Sequence, residues 1–473
     1  MIPAGTTGFS IDSRKVAPGH VFGAFPGTAM NGEDYIPAAI AAGAIAIVAR
    51  PQAKVTGALH IAEENPRRAF AQMAAQFYTP APATLVAVTG TNGKTSTVEM
   101  LRQIWQGAGH SAASIGTLGI TTAQGSIHTG LTTPDIVTFL SALQNLAAQG
   151  VTHLAYEASS HGLDQYRNEG PTVLAGAFTN LSRDHLDYHH TMDAYFAAKM
   201  RLFSEIITPQ GTAVLWADDP WSRQAEAQAQ TRGLSIISVG KNGKTIRLLD
   251  RQPTPLGQIL TLSHAGQEHR LDLPLIGAYQ AANALVAAGL AMATAMPPAQ
   301  VFDHITRLRP VRGRLEHAAL NAAGAPAYVD YAHTPDGLAA AIDALRPHTT
   351  GRLILVFGAG GDRDPGKRPA MGRIAADQAD IAIVTDDNPR GEDPAAIRAA
   401  ILSGMTAPRA RVQEIASRRD AIVEAMQIAG EGDIVLIAGK GHEQGQILGR
   451  GADTRILPFD DATVAREATG EIA

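Results

Sequence analysis

Gly90-Thr91-Asn92-Gly93-Lys94-Thr95-Ser96 follows a short β-branched run, Thr84–Thr89, and precedes a helical pattern from Thr95 to about Gln106. A glycine-containing loop between strand and helix presents backbone N–H groups to phosphate at a helix N-terminus. In such a loop Lys94 reaches the terminal phosphates, and the Thr95 hydroxyl suits Mg²⁺. The general phosphate-loop pattern wants Gly where this chain has Val88, so the loop is a shortened variant. Alone it says only that a nucleoside triphosphate is bound. Motor, switch and ligase all stay open.

Further along, Glu157 ends the apolar run Leu154–Glu157 and leads into Ala158-Ser159-Ser160-His161. A carboxylate at a strand end beside a phosphate loop is where a Mg²⁺ ligand belongs. The next strand candidate, Ala175–Thr179, runs into Asn180–Asp187, which puts His185 and its neighbouring carboxylates on the following loop. Lys199 falls on a helix and, by itself, reads as a solvated lysine.

Positioning these groups takes more than one core. At 473 residues the chain is expected to form two to four domains of roughly 100–200 residues each. It reads as three α/β blocks: residues 1–82, ending in the Pro-rich linker Thr79-Pro80-Ala81-Pro82; residues 83–309; and residues 310–473. In the third block the strand candidates Ala327–Asp330, Leu353–Phe357, Ile381–Thr385 and Ile434–Ile437 alternate with helical patterns at Pro335–Leu345, Pro369–Ala379, Pro394–Leu402 and Arg418–Ala429. That alternation predicts a parallel sheet, with ligands outside the strand C-terminal ends. The net charge of −5 gives no electrostatic case for nucleic acid or anionic membrane. With no cysteine, disulfides and thiolate metal sites are excluded. Residues 1–15 lack a signal-peptide apolar region and no run of about 20 apolar residues occurs, so a cytoplasmic protein is expected.

Taken together, Gly90–Ser96, Glu157-Ala158-Ser159-Ser160-His161, Asn180–Asp187 and Ala197-Ala198-Lys199 resemble the Mur ligases. The likeness continues through Gly277–Asn283, Gly313-Arg314-Leu315-Glu316 and Asp330-Tyr331-Ala332-His333-Thr334-Pro335. The resemblance implies an α/β protein of three domains: a small N-terminal α/β uridine-nucleotide domain, a central P-loop parallel-sheet ATPase domain and a C-terminal Rossmann-like domain. It implies that Gly90, Thr91, Asn92, Gly93, Lys94, Thr95 and Ser96 hold ATP, the co-substrate. Asn283 then lies near the adenine, with Arg314 and Asp330 brought to the nucleotide by domain closure. Lys94, Glu157, His185 and Lys199 become the catalytic set, with Lys199 carbamylated. One Mg²⁺ is implied near Thr95 and Glu157, and a second near Glu157, His185 and the carbamate. A carbamate on Lys199 makes chemical sense: an ammonium beside two cations tends to deprotonate, and the amine can take up CO₂ to give an anion that suits a hard ion.

The same resemblance extends to the substrates. Ile11-Asp12-Ser13-Arg14-Lys15-Val16-Ala17-Pro18-Gly19 resembles the uridine-nucleotide domain of amino-acid-adding members, which places Ile11 and Ser13 at the uridine diphosphate. Thr28, Ala29 and Met30 match another part of that pocket, where relatives often carry His-Gln-Ala. Thr132, Thr133, Ser159, Gln165 and Arg167 match positions that hold the muramoyl peptide and its diphosphate, and an arginine fork suits phosphate. Asp387-Asn388-Pro389-Arg390 resembles the meso-diaminopimelate signature of one branch of the family. A guanidinium can grip the carboxylate that distinguishes diaminopimelate from lysine, while Asp387 and Asn388 suit the neighbouring ammonium. Arg363, Gly439 and Glu443 match further amino-acid contacts.

The implied reaction makes an acyl phosphate from the D-glutamyl carboxylate of UDP-N-acetylmuramoyl-L-alanyl-D-glutamate, which the diaminopimelate amine then attacks. The expected partners are these small molecules, with no nucleic acid, no membrane insertion and a monomeric chain. Within the enzyme class the alternatives are a sister ligase adding lysine or a dipeptide, where lysine-adding relatives usually lack Arg at position 390, and a folylpolyglutamate-type ligase, which would not need the Asp12-Ser13-Arg14 block or Arg390. A P-loop motor or switch would need no amino-acid pocket, and a non-catalytic UDP-sugar binder would not need Lys94, Thr95, Glu157 and Lys199 together.

Overall fold

A computed structural model describes residues 1–27, 30–127, 130–254 and 257–471. Thr28 and Ala29 of the expected uridine pocket lie outside the described residues. The chain forms two compact units. The first comprises Met1–Leu248, Ser263–Gly266 and Asn283–His304; the second comprises Leu249–Leu262, Gln267–Ala282 and Ile305–Ala473.

The first unit opens with four parallel strands in sequential order, β1 (Gly8–Ser10), β2 (His20–Gly23), β3 (Ala46–Ala49) and β4 (Leu59–Ala62). Helix α1 (Pro66–Phe77) starts with Pro at its first turn, and the Asn65 side chain accepts the Arg68 N–H as its cap. Its buried face, Phe70, Ala71, Met73 and Ala74, joins Phe9 and Phe25 to a core that continues into Leu85 and Tyr156 of the next sheet and Phe139 of a helix that covers it. The N-terminal strands and the phosphate-loop strands therefore share one apolar core.

The second sheet of this unit carries β5 (Thr84–Thr89), β6 (Ala112–Gly116), β7 (His153–Glu157), β8 (Val173–Phe178), β9 (Ile207–Trp216) and β10 (Ser235–Gly240). Its parallel order is β10-β9-β8-β5-β7-β6. Nearly every residue of β5, β6, β7 and β8 is buried, as expected of strands covered on both faces. The neighbours β8, β5 and β7 end side by side, and their C-terminal ends release the loops that begin at Thr179, Gly90 and Ala158. Helix α2 (Lys94–Gly107) follows the loop after β5, and helix α3 (Met192–Arg201) carries Lys199. Strand β6 reads Ala-Ala-Ser-Ile-Gly, without the β-branched run that marks a strand in sequence.

In the second unit β11 (Glu316–Leu320) pairs antiparallel with β12 (Pro326–Asp330). The rest is parallel: β13 (Leu353–Phe357), β14 (Ile381–Val384), β15 (Arg411–Glu414) and β16 (Ile434–Ala438), in the order β11-β12-β16-β13-β14-β15. Apolar layers cover both faces. The chain order departs from the spatial order because β16 inserts between β12 and β13. The loops after Asp330 and Ala438 thus become neighbours although over 100 residues separate them in sequence.

On one face, helix α4 (Arg418–Ile428) lies beside helix α5 (Asp461–Thr469). Arg418 and Asp461 meet with both side chains fully buried, through Nε to Oδ1 and Nη2 to Oδ2, each at 2.7 Å. Nη2 also donates to the Ala438 carbonyl at 2.9 Å, which ties the pair to the end of β16. Removing one partner of a buried pair costs about 3–5 kcal/mol, whereas an apolar replacement of both is far better tolerated. Asp461→Ala is therefore expected to destabilise the second unit by that order, read from the fall of its urea midpoint. Arg418→Met with Asp461→Leu should recover most of the loss. A single variant within about 0.5 kcal/mol of the parent would show the pair to be dispensable.

Candidate active site

The phosphate loop is held by its neighbours from below. Thr91 N–H donates to Asn180 O at 2.9 Å and Asn92 N–H to Asn180 Oδ1 at 2.9 Å. Thr179 Oγ1 donates to Asn92 O at 2.6 Å, and Thr91 Oγ1 lies 3.2 Å from the Tyr195 hydroxyl. Two glycines are required here. A Cβ on Gly90 (φ +146°) would stand 1.9 Å from Thr179 Oγ1, and one on Gly93 (φ +87°) would stand 2.3 Å from Asn283 Oδ1. The second contact sets buried Asn283, the expected adenine neighbour, against the helix N-terminus. Thr95 and Ser96 are buried in the first turn of α2.

Lys94 Nζ curls back to the carbonyls of Gly90 (2.9 Å) and Thr91 (2.8 Å), and Lys199 Nζ donates to the same Gly90 carbonyl at 2.8 Å. Lys199 is 1% exposed, so the reading of a solvated helix lysine does not hold. The amphipathic pattern of α3 conceals this, because the side chain runs inward past Tyr195, whose ring lies 4.4 Å from Nζ. Burial pushes the Lys199 ammonium well below the usual lysine range, and the charge of Lys94 adds to the effect. His185, on the loop after β8, is also shifted down, first by burial, and it feels the charges of Asp184, His161, Lys94 and Lys199. A neutral imidazole keeps its ring lone pair for a cation.

Glu157 ends β7 under a roof that the sequence did not disclose. Thr117 N–H donates to Oε1 at 2.7 Å and Thr117 Oγ1 to Oε2 at 3.3 Å, while a Cβ on Gly116 would fall 2.2 Å from Oε1. Thr117 was missed because strand β6, which delivers it, carries no sequence signature. Around the same strand end gather Thr132, whose hydroxyl lies 3.1 Å from that of Thr117, and Thr133, which donates to Glu157 O at 2.8 Å. Ser159 N–H donates to Thr133 Oγ1 at 3.1 Å. Arg167 reaches Thr133 O at 3.0 Å with Nη1 and Gln165 Oε1 at 2.6 Å with Nη2. Thr132, Thr133, Ser159, Gln165 and Arg167 thus form one polar cluster beside Glu157. On the loops that follow the first two strands Ile11 and Met30 are exposed, and Ser13 begins a 3₁₀ turn capped by Asp12.

Among the described residues no three His, Asp or Glu side chains converge as a ready-made metal cage. Thr95, Glu157, His185 and Lys199 nevertheless present oxygen and nitrogen donors around one loop. Mg²⁺ is commonly bound by one or two carboxylates together with substrate phosphates and water, so this donor set fits it.

In the second unit Asp330 is buried at the end of β12. Its Oδ2 accepts from Leu315 N–H (2.8 Å) and Tyr279 OH (3.1 Å), and its Oδ1 from Ala332 N–H (2.8 Å). Burial raises its pKa despite the Arg314 charge. The Arg314 guanidinium lies 4.6 Å above the Tyr331 ring, and the His442 ring, tilted by 45°, lies 5.1 Å from that ring. At the next strand ends, the loops after β13 and β14 interlock. Gly361 N–H donates to Asn388 O at 2.9 Å, Arg390 Nη1 donates to Gly361 O at 2.9 Å, and a Cβ on Gly361 would lie 1.9 Å from Pro389 O. Arg390 holds a left-handed backbone (φ +51°) and pairs with the chain at Ile447 and Gly449. Asn388 Nδ2 donates to Glu443 Oε2 at 2.7 Å, and a Cβ on Gly439 would lie 2.6 Å from Asp387 Oδ2. Asp387, Asn388, Arg390, Gly439 and Glu443 therefore share one corner. Arg363 is exposed on the adjoining loop.

The Gly93–Asn283 contact gives a structural test. Gly93→Ala combines a strained φ with a clash and is expected to cost about 1–3 kcal/mol. Adding Asn283→Ala should return part of that loss in thermal unfolding, because it removes the clash. Additive losses would contradict the contact.

Family models match in three segments: the Mur ligase family catalytic domain over residues 6–84, the Mur ligase middle domain over residues 88–291, and the Mur ligase glutamate ligase domain over residues 313–441. A protein of Zymomonas mobilis subsp. mobilis named UDP-N-acetylmuramoyl-L-alanyl-D-glutamate–2,6-diaminopimelate ligase is 61% identical over 461 residues, covering 98% of this chain and 94% of that protein. A Caulobacter vibrioides protein of the same name is 52% identical over 470 residues, covering 98% and 95%. A solved structure of an enzyme with that name aligns with a TM-score of 0.73 at 33% identity over 98% of this chain and 95% of its own. The chain belongs to the Mur ligase family.

Proposed function

We propose that this chain is the ATP-dependent ligase that joins meso-2,6-diaminopimelate to the D-glutamate of UDP-N-acetylmuramoyl-L-alanyl-D-glutamate in peptidoglycan precursor synthesis. The observation that carries the amino-acid specificity is the interlocked corner of Asp387, Asn388, Arg390 and Glu443 at the C-terminal ends of β14 and β16. The relatives at 61% and 52% identity carry the same activity in their names.

The D-glutamyl carboxylate attacks the γ-phosphorus of ATP, the bond to the bridging oxygen breaks, and ADP leaves. The diaminopimelate amine then attacks the acyl carbon, loses a proton, and expels phosphate that keeps one former carboxylate oxygen. Gly90–Ser96 and Asn283 hold ATP in the first unit, with Lys94 turning from the Gly90 and Thr91 carbonyls to the transferring phosphoryl group. Arg314 and Asp330 are further nucleotide residues. Ile11, Ser13, Met30, Thr132, Thr133, Ser159, Gln165 and Arg167 take the UDP-muramoyl peptide, with Thr28 and Ala29 beside them in sequence. Arg363, Asp387, Asn388, Pro389, Arg390, Gly439 and Glu443 take diaminopimelate.

Thr95, Glu157, His185 and a carbamylated Lys199 are the residues that would hold Mg²⁺, which when bound neutralises charge on the phosphates. The depressed basicity of Lys199 supports its carbamylation, since only the neutral amine reacts with CO₂. The working limits of the three domains are residues 1–82, 83–309 and 310–473. No helix among the described residues is long and apolar enough to cross a membrane. We place the enzyme in the cytoplasm as a monomer acting on small molecules.

Phosphate release with the UDP-muramoyl dipeptide and a panel of amino acids tests the assignment. Release should require diaminopimelate, and equal release with lysine would point to the sister ligase. Arg390→Ala is expected to lose about 30-fold or more in kcat/KM for diaminopimelate while the KM values for ATP and the dipeptide stay near those of the parent. Unchanged diaminopimelate use would remove Arg390 from the pocket.

Lys199→Ala separates the carbamate from a plain buried lysine. Activity should collapse in a folded protein. Acetate should restore part of it by filling the space of the carbamate oxygens, and chloride at equal ionic strength should not. A fully active variant would end the claim.

A further inference from the structure

Lys440 is fully buried, with 0% of its surface exposed, and none of the roles above uses it. It sits on the loop after β16, between Gly439 and Gly441, two glycines with positive φ. Its Nζ donates to Asn388 Oδ1 at 2.8 Å and to Glu443 Oε2 at 3.2 Å. The Ile447 N–H fills the second acceptor position of Asn388 Oδ1 at 2.9 Å, and Asn388 Nδ2 donates to the same Glu443 oxygen at 2.7 Å. The Asn388 amide is thereby held in one orientation, its oxygen toward the ammonium and its nitrogen toward the carboxylate. One Glu443 oxygen is doubly engaged, which leaves the other for a ligand.

Charge balance gives this arrangement a consequence. Asp387 and Glu443 contribute two negative charges to the corner, Arg390 and Lys440 contribute two positive ones, and the exposed Arg363 adds a third at its rim. The Arg418–Asp461 pair behind them is neutral. A corner with both signs matches the far end of diaminopimelate, which carries an ammonium and a carboxylate on one carbon. Lysine ends in an ammonium alone. Without Lys440 the two carboxylates would lose the one cation buried against them, and the corner would hold that bare cation more readily.

We infer that Lys440 is a specificity-determining positioning residue: by fixing Asn388 and Glu443 and offsetting the carboxylate charge, it makes the corner accept a zwitterionic end and reject a cationic one. Lys440 acts through its two partners and does not touch the reacting atoms. The inference rests on the reading of this corner as the diaminopimelate site.

The test is the ratio of kcat/KM for meso-diaminopimelate to that for L-lysine, measured for the parent enzyme and for Lys440→Met, Lys440→Gln and Lys440→Arg, with the KM values for ATP and UDP-muramoyl dipeptide followed in parallel. The Met and Gln variants should lower the ratio by about tenfold or more, the size expected of one unscreened charge, with the two other KM values unmoved. The Arg variant should hold the ratio within about 1.5-fold of the parent, a small fraction of that effect. An unchanged ratio in a folded Met or Gln variant overturns the inference, as does an Arg variant that behaves like Met. If circular dichroism finds all three variants unfolded, Lys440 serves stability alone and the inference also falls. A parent enzyme that does not use diaminopimelate removes the underlying site reading together with it, whereas a parent that does use it alongside an unchanged Met ratio removes only the role of Lys440.

Discussion

Two lysine side chains converge on one carbonyl, that of Gly90, and much of the first unit serves to hold them there. Like charges brought together in a buried setting repel, and desolvation adds to the cost of keeping both protonated. The arrangement is relieved when an anion arrives or when one amine gives up its proton, and burial together with the charge of Lys94 shifts Lys199 in the direction of the second. A loop after β5 supplies the carbonyl and Lys94, and α3 supplies Lys199. Asn180 and Thr179 at the end of β8 clamp the loop so that its backbone cannot retreat from the two amines. Glu157, at the end of β7 on the other side of β5, completes a site spread over three adjacent strand ends.

The second unit applies the same rule to a different ligand. Parallel strands need crossover connections, so residues distant in sequence become neighbours at one sheet edge. Inserting β16 between β12 and β13 brings Gly439–Glu443 against Asp330–His333 on one side and toward Asp387–Arg390 on the other. The close approaches at Gly361, Gly439 and Gly313, where a Cβ would overlap Pro389, Asp387 or His442, let these loops interlock instead of merely adjoining. The buried Arg418–Asp461 pair, bound to the last carbonyl of β16, anchors that edge from behind.

Much of this was legible before any coordinates. Strand Leu353–Phe357 and helices Pro335–Leu345 and Pro394–Leu402 lie where periodicity and proline placement put them, because each is a long apolar pattern with a clear start. Strand β8 begins two residues before its expected start and ends one before its expected end, because pairing with β5 and β9 sets its limits. Strand β6, made of small residues, escaped notice and took Thr117 with it. Lys440 escaped for another reason: a lysine between two glycines looks exposed, and only the strand order reveals that Asn388 and Glu443 close over it. The burial of Lys199 was likewise invisible, because a ten-residue helix with a weakly one-sided pattern does not say which face meets the phosphate loop.

Central to the account is the claim that these strand-end loops let a substrate carboxylate, and not water, take the γ-phosphoryl group of ATP. Transfer of isotope measures this directly. With the D-glutamyl carboxylate of the UDP-muramoyl dipeptide labelled with ¹⁸O, and with ATP, Mg²⁺ and meso-diaminopimelate present, each phosphate released should carry one labelled oxygen, in step with amide formation. Phosphate free of label, or label that appears without amide product, would contradict it.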